Sequence, residues 1–143
     1  MPQTLVSSGF TVRSAASLFP RFDCTLRDGG LDAAWLRATG ELDIATAPQL
    51  AEMLGQAEER CQRVVLDLRE LTFMDSAGVH AIIDATLRAT AAGRRLVLVR
   101  GPSHVDRVFE LTRASASLEI VDLDPIEPPV LALLKLAQRE RAA

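Results

Sequence analysis

The segment FMDSAGVHAIID, residues 73–84, carries a serine, a histidine and an aspartate at helical spacing: Ser76, His80 and Asp84. On a helix this spacing places a nucleophile, a base and an orienting carboxylate along one side, which superficially suggests a serine hydrolase. Side chains stacked along one helix axis all point the same way, however, and no second loop is evident to supply an oxyanion hole. The nucleophile elbow G-x-S-x-G is also absent, because Met74 occupies its first glycine position. A hydrolase is therefore the weakest interpretation of this segment.

Two other roles are open for Ser76, which stands where an apolar strand is expected to give way to a helix. Asp75 and Ser76 are both residue types that cap helices, since their side chains accept hydrogen bonds from unpaired backbone N–H groups. Either residue is sufficient as a cap, so capping explains only one of them. A phosphate on Ser76 would meet the same donors and the positive end of the helix dipole, and it would add about two negative charges. The residues alone leave both a cap and a phosphorylated switch open.

Length, composition and charge restrict the class of protein. With 143 residues, of which 48% are hydrophobic and 24% charged, the chain has the size and balance of one soluble globular domain. Its formal net charge of −3 is unlike the basic surface of a nucleic-acid-binding protein. The phosphate-binding patterns G-x-x-x-x-G-K-[ST] and G-x-G-x-x-G are both absent from the sequence, which excludes a Walker ATPase.

The sequence predicts neither a metal site nor a bound cofactor. Its two cysteines, Cys24 and Cys61, lie far apart and match no metal or redox spacing, as expected for ordinary thiols of an intracellular protein. No run approaches the roughly 20 apolar residues of a membrane span, and residues 1–20 lack the features of a secretion signal. We therefore expect a cytoplasmic protein with no membrane contact and no direct nucleic-acid contact.

The elements that must position these residues alternate between strand and helix, which implies an α/β sandwich with a mixed sheet. The first two strands are expected to join at the turn signal Gly29-Gly30, and Thr46 and Pro48 are expected to open the first helix as its cap and its first-turn proline. The predicted order is strands over 22–29 and 33–42, a helix from Thr46, a strand over 63–68, a helix after Asp75, a strand over 94–101, a helix over 102–115, a strand over 118–122 and a terminal helix over 129–142.

We expect one domain over residues 21–143, which includes the terminal helix 129–142. Residues 1–20 are rich in Ser, Ala and Thr and have weak periodicity, so we expect them to form a flexible extension. The apolar face of the terminal helix needs cover and should either pack on the domain or make a dimer. The protein is accordingly expected to be a monomer or a weak dimer.

Three segments resemble those of a STAS domain in their order and spacing: LRATGELDIATAPQL, VVLDLRELTFMDSAGVHAI and PSHVDRVFELTRASASLEIVD. More narrowly, they are similar to the stand-alone bacterial anti-sigma-factor antagonists over about residues 22–124. The blocks are specific in combination, although each alone would be a weak sign. The resemblance implies a STAS-like sandwich, with a mixed sheet of four or five strands flanked by four or so helices.

The resemblance also implies a site. Ser76 matches the serine that a partner anti-sigma factor kinase phosphorylates, and Asp75 matches the acid directly before it. Asp43 of the GELD segment matches an acidic residue on the neighbouring loop, and both carboxylates are expected to stay solvated at strand ends. Ala77 stands where the family often has a second Ser or Thr, and His80 where a small residue is frequent. The residues expected at the partner-binding surface are Asp43, Asp75, Ser76, Ala77, Gly78 and His80.

The function that the resemblance implies is regulated binding, with no catalytic residue and no enzyme activity. The unphosphorylated protein would capture an anti-sigma factor serine kinase and so free a sigma factor. The form phosphorylated on Ser76 would release the kinase, and a serine phosphatase would reset the switch. The alternative is a small-ligand module, for a nucleotide or a lipid, or a scaffold module of the same fold, in which Ser76 serves only as a cap.

Overall fold

The structure is a computed structural model that describes residues 9–13 and 21–142. Most of the expected N-terminal extension, residues 1–8 and 14–20, therefore lies outside the described residues. The strands are β1 (Thr11–Arg13), β2 (Phe22–Gly30), β3 (Ala33–Leu42), β4 (Arg63–Met74), β5 (Arg95–Val99) and β6 (Ile120–Val121). The helices are α1 (Ala47–Arg60), α2 (Ser76–Ala91), α3 (Ser103–Leu111) and α4 (Val130–Ala142), with a short 3₁₀ turn at Ser115–Ser117.

All these strands form one mixed sheet whose spatial order follows the sequence, β1-β2-β3-β4-β5-β6. β1, β2 and β3 are antiparallel neighbours, whereas β3, β4, β5 and β6 run parallel to one another. The chain between two parallel strands must run back along the sheet, and each of the three connections between β3 and β6 contains a helix. The carboxyl ends of β3 and β4 meet at the same edge of the sheet, where Leu42 is paired with Met74. The predicted α/β class with a mixed sheet is confirmed.

The sheet has six strands rather than the expected four or five. The sixth is β1, which pairs with β2 and lies inside the range 1–20 that was expected to be a flexible extension. Val12 packs against the core, whereas Thr11 and Arg13 are on the opposite side of the strand. A three-residue strand with one apolar side chain has too short an alternation to be recognised in a sequence.

Two apolar clusters cover opposite faces of the sheet, as β5 shows. Leu96 and Leu98 belong to the larger core, which is packed beneath α1, α2 and α3. Val97 and Val99 belong to a smaller cluster to which α4 contributes Leu136. Successive strand residues face opposite sides, so an unbroken apolar run such as RLVLV is buried on both. The terminal helix therefore packs on its own domain.

The hairpin between β2 and β3 turns later than expected. Leu31 and Asp32 form its two-residue turn, both with positive φ, 57° and 56°, while Gly29 and Gly30 still belong to β2. Turns of this kind match the twist of the strands that they join. Gly29 lies against Trp35 instead, since a Cβ at residue 29 would lie 2.1 Å from the indole Nε1. Gly29 thus provides the space for an aromatic ring rather than the turn itself.

Thr46 precedes α1, as expected, but its side chain does not cap the helix. Its backbone is already close to helical, at φ −105° and ψ −16°, whereas a capping residue is typically extended. The hydroxyl turns back into the loop, where it donates to the Glu41 carbonyl oxygen at 2.9 Å and accepts from the Asp43 N–H at 2.9 Å. Thr46 therefore closes the β3–α1 loop. Pro48 lies in the first turn of α1, as predicted.

The start of α2 packs closely against the ends of β3 and β4 because residue 78 is a glycine. A Cβ at Gly78 would lie 2.7 Å from a side-chain carbon of Leu42 and 2.9 Å from one of Met74, and both of these side chains are buried. Gly55, inside α1, has no atom within 4 Å of the corresponding position. The two helical glycines thus differ in the space around them.

Gly78→Ala should therefore lower the free energy of unfolding by about 1–3 kcal/mol, because the added methyl group must displace buried side chains. Gly55→Ala is the matched control and should raise that free energy by up to about 1 kcal/mol, since alanine gains helix propensity without a clash. Urea denaturation of both variants measures the difference. Equal effects of the two substitutions would contradict the close packing at Gly78.

Candidate functional site

The candidate site lies at the edge of the sheet where β3 and β4 end. Asp43 directly follows β3, and Asp75 and Ser76 directly follow β4. The N–H of Asp75 donates a hydrogen bond to the Leu42 carbonyl oxygen at 3.1 Å, which ties the two chain ends together. Parallel pairing of β3 with β4 thus brings together two loops that are far apart in the sequence.

Asp75 is the N-cap of α2. Its backbone is extended, at φ −111° and ψ −174°. Its Oδ1 accepts hydrogen bonds from the N–H groups of Ala77 at 2.9 Å and Gly78 at 3.4 Å. In this way an aspartate satisfies donors that the first helical turn leaves unpaired. Of the two candidate caps, the structure selects Asp75.

Ser76 is the first residue of α2, and its side chain is exposed. Its hydroxyl has no hydrogen-bond partner within residues 9–13 and 21–142. The serine is therefore not needed as a cap. Because Asp75 already accepts from two N–H groups of the first turn, a group attached to Ser76 would find those two donors occupied.

Asp43 holds the β3–α1 loop in shape with its side chain. Oδ1 accepts from the N–H groups of Ala45 at 2.9 Å and Thr46 at 3.1 Å, and Oδ2 accepts from the Arg21 guanidinium at 3.1 Å. Partial burial alone would raise the pKa of Asp43, but these N–H groups and the Arg21 cation together lower that pKa. The carboxylate is thus engaged by its own loop, rather than simply solvated as expected.

The other residues expected at the partner surface differ in exposure. His80, one turn along α2 from Ser76, is exposed, and its ring makes no hydrogen bond with any described residue. Ala77 is half-buried. Gly78 has a different position from the one expected, because α2 turns it toward the core, where it is buried against the ends of β3 and β4. Its contribution is to packing rather than to an exposed surface.

Two large apolar side chains beside these loops were not among the expected residues. Ile44, between Asp43 and Ala45, is 79% exposed, and Phe73, just before the end of β4, is 46% exposed. Apolar side chains exposed beside polar ones are available for contact with another protein. The exposure of Ile44 could have been predicted from the sequence, since an isoleucine inside a polar loop is not part of a strand or helix that faces the core. The exposure of Phe73 could not have been predicted, because an aromatic residue at a strand end is equally compatible with a buried position.

The geometry does not support hydrolysis by the helical serine, histidine and aspartate. Ser76, His80 and Asp84 are all exposed on α2, and no hydrogen bond joins them among the described residues. A serine nucleophile needs its base within hydrogen-bond reach and the base oriented by a third group. The Ser76 hydroxyl is therefore an accessible surface group with no base bonded to it among the described residues.

The rest of the described chain adds no reactive centre to this edge. Both cysteines are buried, and burial is the main cause that raises the pKa of the Cys24 and Cys61 thiols, which suppresses the reactive thiolate. Within the part of the chain that the structure describes, no group of three or more His, Cys, Asp or Glu side chains could hold a metal ion. None of the helices in that part has the length and apolar character needed to cross a membrane.

The chain is similar to one known domain family and to known anti-sigma factor antagonists. The family model of the STAS domain matches residues 28–128, a range that includes both loops and Ser76. BtrV of Bordetella bronchiseptica, whose name marks it as a candidate anti-sigma factor antagonist, is 35% identical over 74 residues, which are 51% of this chain and 64% of BtrV. The anti-sigma-B factor antagonist of Listeria monocytogenes is 32% identical over 87 residues, 59% of this chain and 75% of that protein. The chain thus spans slightly less than two thirds of BtrV and three quarters of the Listeria protein.

Solved structures agree in fold. The anti-sigma factor antagonist SpoIIAA in its unphosphorylated form superposes with a TM-score of 0.63 at 20% identity, over 84% of this chain and 97% of SpoIIAA. The Bacillus cell fate determinant SpoIIAA in its phosphorylated form superposes with a TM-score of 0.58 at 20% identity, over 71% of this chain and 92% of that one. At such identities the likeness concerns the fold alone, which is SpoIIAA-like.

Asp75→Ala should lower the free energy of unfolding by about 1 kcal/mol, because it removes the cap of α2. Ser76→Ala should change that free energy by less than about 0.5 kcal/mol, since the exposed hydroxyl is not bonded within the described structure. Chemical denaturation of the two variants beside the wild type provides the measurement. A loss on Ser76→Ala as large as that on Asp75→Ala would assign the capping role to the serine.

Asp43→Ala should lower the melting temperature at neutral pH, and this difference should shrink in acid. The folded-state pKa of Asp43 is lowered below the unfolded value of about 3.9, so its contribution is complete above that value and is lost as the pH falls through the folded-state pKa. Thermal melts at about pH 7 and about pH 2.5 test this linkage. Asp84→Ala, which removes an exposed aspartate of α2, is the control and should have a small effect at both values. A difference for Asp43→Ala that is as large in acid as at neutral pH would contradict the linkage.

Proposed function

Because the chain belongs to the STAS domain family, we propose that it is an anti-sigma factor antagonist that acts by binding and not as an enzyme. The observation that carries the proposal is that Ser76 exposes its hydroxyl at the start of α2, while Asp75 caps that helix. The proposal is supported by the names of BtrV and the Listeria protein and by the SpoIIAA-like fold.

The binding surface that we propose consists of Asp43, Ile44, Phe73, Ser76 and His80, and we call it the antagonist surface. Ile44 and Phe73 expose large apolar side chains to water, and covering such area is favourable by about 25 cal/mol per Å². The polar side chains around them supply the rim that typical protein interfaces have. Ile44 directly follows Asp43, and Phe73 comes three residues before Ser76, so a partner that covers both is brought to the edge of the sheet that carries Ser76.

Phosphorylation of Ser76 would change the charge of the antagonist surface where a partner docks. The phosphate would bring about two negative charges next to the Asp75 carboxylate. That carboxylate already accepts from the N–H groups of Ala77 and Gly78, so these donors are not vacant to neutralise the phosphate. Removing water from such a charge without a cationic partner costs several kcal/mol by order of magnitude. We infer that the free hydroxyl permits binding and that the phosphate prevents it.

The partner in this proposal is an anti-sigma factor that is also a serine kinase. The unphosphorylated protein captures the kinase, and a sigma factor is thereby released. The kinase phosphorylates Ser76 and is let go, and a serine phosphatase returns the protein to its binding form. This cycle requires a cytoplasmic location, because sigma factors act on the transcription apparatus there.

Calorimetric titration of a candidate anti-sigma kinase with four forms of the protein tests the switch. Wild type and Ser76→Ala should bind with similar affinity, whereas Ser76→Asp and the phosphoprotein should bind at least about a hundredfold more weakly. Ser115→Asp is the matched control, because Ser115 is likewise the exposed first residue of a helical turn, Ser115–Ser117, and this turn precedes β6 at the opposite edge of the sheet. It should bind as the wild type does.

Equal binding by the phosphorylated and unphosphorylated forms would reduce Ser76 to a surface residue and overturn the switch. Mass analysis after incubation with the kinase and ATP should find one added phosphate in the wild type and none in Ser76→Ala. Modification of Ser76→Ala to the same extent would place the phosphate elsewhere and contradict the assignment.

A further inference from the structure

The face of the sheet opposite α1, α2 and α3 is only partly covered. The cluster beneath α4 takes its strand residues from β4, β5 and β6. Beside it, over β2, β3 and β4, lies a cleft of about 650 Å³. This volume lies within the range of about 300–1,000 Å³ that is typical of small-molecule sites. The lining residues that matter for its chemistry are Arg27, Trp35, Arg37, Arg69, Leu123 and Pro125.

Arg69 fixes one wall of this cleft. Its Nε and Nη2 donate to the two carboxylate oxygens of Asp67 at 3.0 and 2.8 Å. Its Nη1 donates to the carbonyl oxygens of Asp124 and Glu127, in the segment that leads from β6 to α4. The segment carrying Leu123 is therefore tied to β4, and the cleft exists before any ligand arrives. A preformed site avoids the cost of ordering its walls on binding.

Arg27 is the cation of the cleft that has no counter-ion among the described residues. It is exposed and makes neither a hydrogen bond nor an ion pair with any of them. The other two arginines of the lining are paired, Arg37 with Glu70 and Arg69 with Asp67. The cleft thus carries one positive charge in excess, although the chain as a whole has a formal net charge of −3.

Trp35 gives the cleft an apolar surface. The indole lies against Gly29, and its Nε1 is buried with no hydrogen-bond partner among the residues that the structure describes. The polar edge of the ring is therefore turned into the protein, and the indole meets the cleft through its carbon atoms. Leu123 and Pro125 add further apolar surface to the lining.

We propose that this cleft binds a small organic anion with a flat apolar body and one acid group. The body packs on Trp35 and Leu123, and the acid group meets the guanidinium of Arg27. A guanidinium fork matches the oxygens of a carboxylate or a phosphate, and an aromatic ring offers a large contact area to a flat ligand. The cleft lining does not include Ser76 or any other residue of the antagonist surface. The ligand proposal can therefore be tested independently of the proposed switch.

The fluorescence of the protein reports on the cleft directly, because Trp35 is its single tryptophan and the sequence contains no tyrosine. The probe is 1-anilinonaphthalene-8-sulfonate, a flat apolar anion, and its uncharged analogue N-phenyl-1-naphthylamine serves as the comparison. The anion should quench Trp35 emission to saturation at one site. The uncharged analogue should bind about tenfold more weakly, because it cannot form the charge-assisted hydrogen bond with Arg27.

Arg27→Gln should weaken binding of the anion about tenfold and leave binding of the uncharged analogue unchanged. Arg107→Gln, which removes an exposed arginine of α3 far from the cleft lining, is the matched control and should bind both probes as the wild type does. Thermal melts confirm that both variants are folded. Equal binding of the anion by Arg27→Gln and wild type would overturn the proposal.

Two further outcomes would also contradict the proposal. Displacement of the probe by inorganic phosphate at an equal concentration would show a plain anion site with no need for an apolar body. Trp35 emission that changes with protein concentration alone, without the probe, would assign the cleft to contact between two copies of the chain.

Discussion

Parallel pairing of β3 with β4 is the constraint on which the rest of the site depends. It brings Leu42 beside Met74, and one backbone hydrogen bond from Asp75 then joins the two chain ends. A shift of one residue in this register would turn the buried Met74 outward, because neighbouring strand residues face opposite sides. The loop after β3, the loop after β4 and the first turn of α2 therefore keep a common position only in this register.

Asp75 and Ser76 are adjacent, yet they have separate tasks. The carboxylate of Asp75 satisfies two backbone donors and remains negatively charged in doing so. The hydroxyl of Ser76 is left with no structural task in the described molecule, so it can change chemically at little cost to the fold. The Asp75 carboxylate is held at the start of α2, so a negative charge added at Ser76 would be repelled by it. The same local geometry thus stabilises α2 and sets the electrostatic consequence of modification.

Elements with long periodic patterns could be predicted from the sequence, and features made by contacts between elements could not. The helix after Asp75 and the apolar strand over residues 95–99 have patterns that persist for several residues, and with them the α/β class was correct. Gly29 was predicted to be a turn residue, because its contact with Trp35 lies across the hairpin and cannot be read from the local sequence. Gly78 was predicted to lie at the exposed surface, because the side chains that bury it come from β3 and β4. The cleft is assembled from β2, β3, β4 and the segment before α4, whose separate sequences carry no common pattern.

The shortness of β1 and β6 has a consequence for how copies of the chain meet. These strands form the two borders of the sheet in the described structure, with three and two residues respectively. A border strand leaves unpaired N–H and C=O groups to which another chain can add, and a very short one leaves few of them. Extension of the sheet from one copy to the next is therefore disfavoured at high concentration.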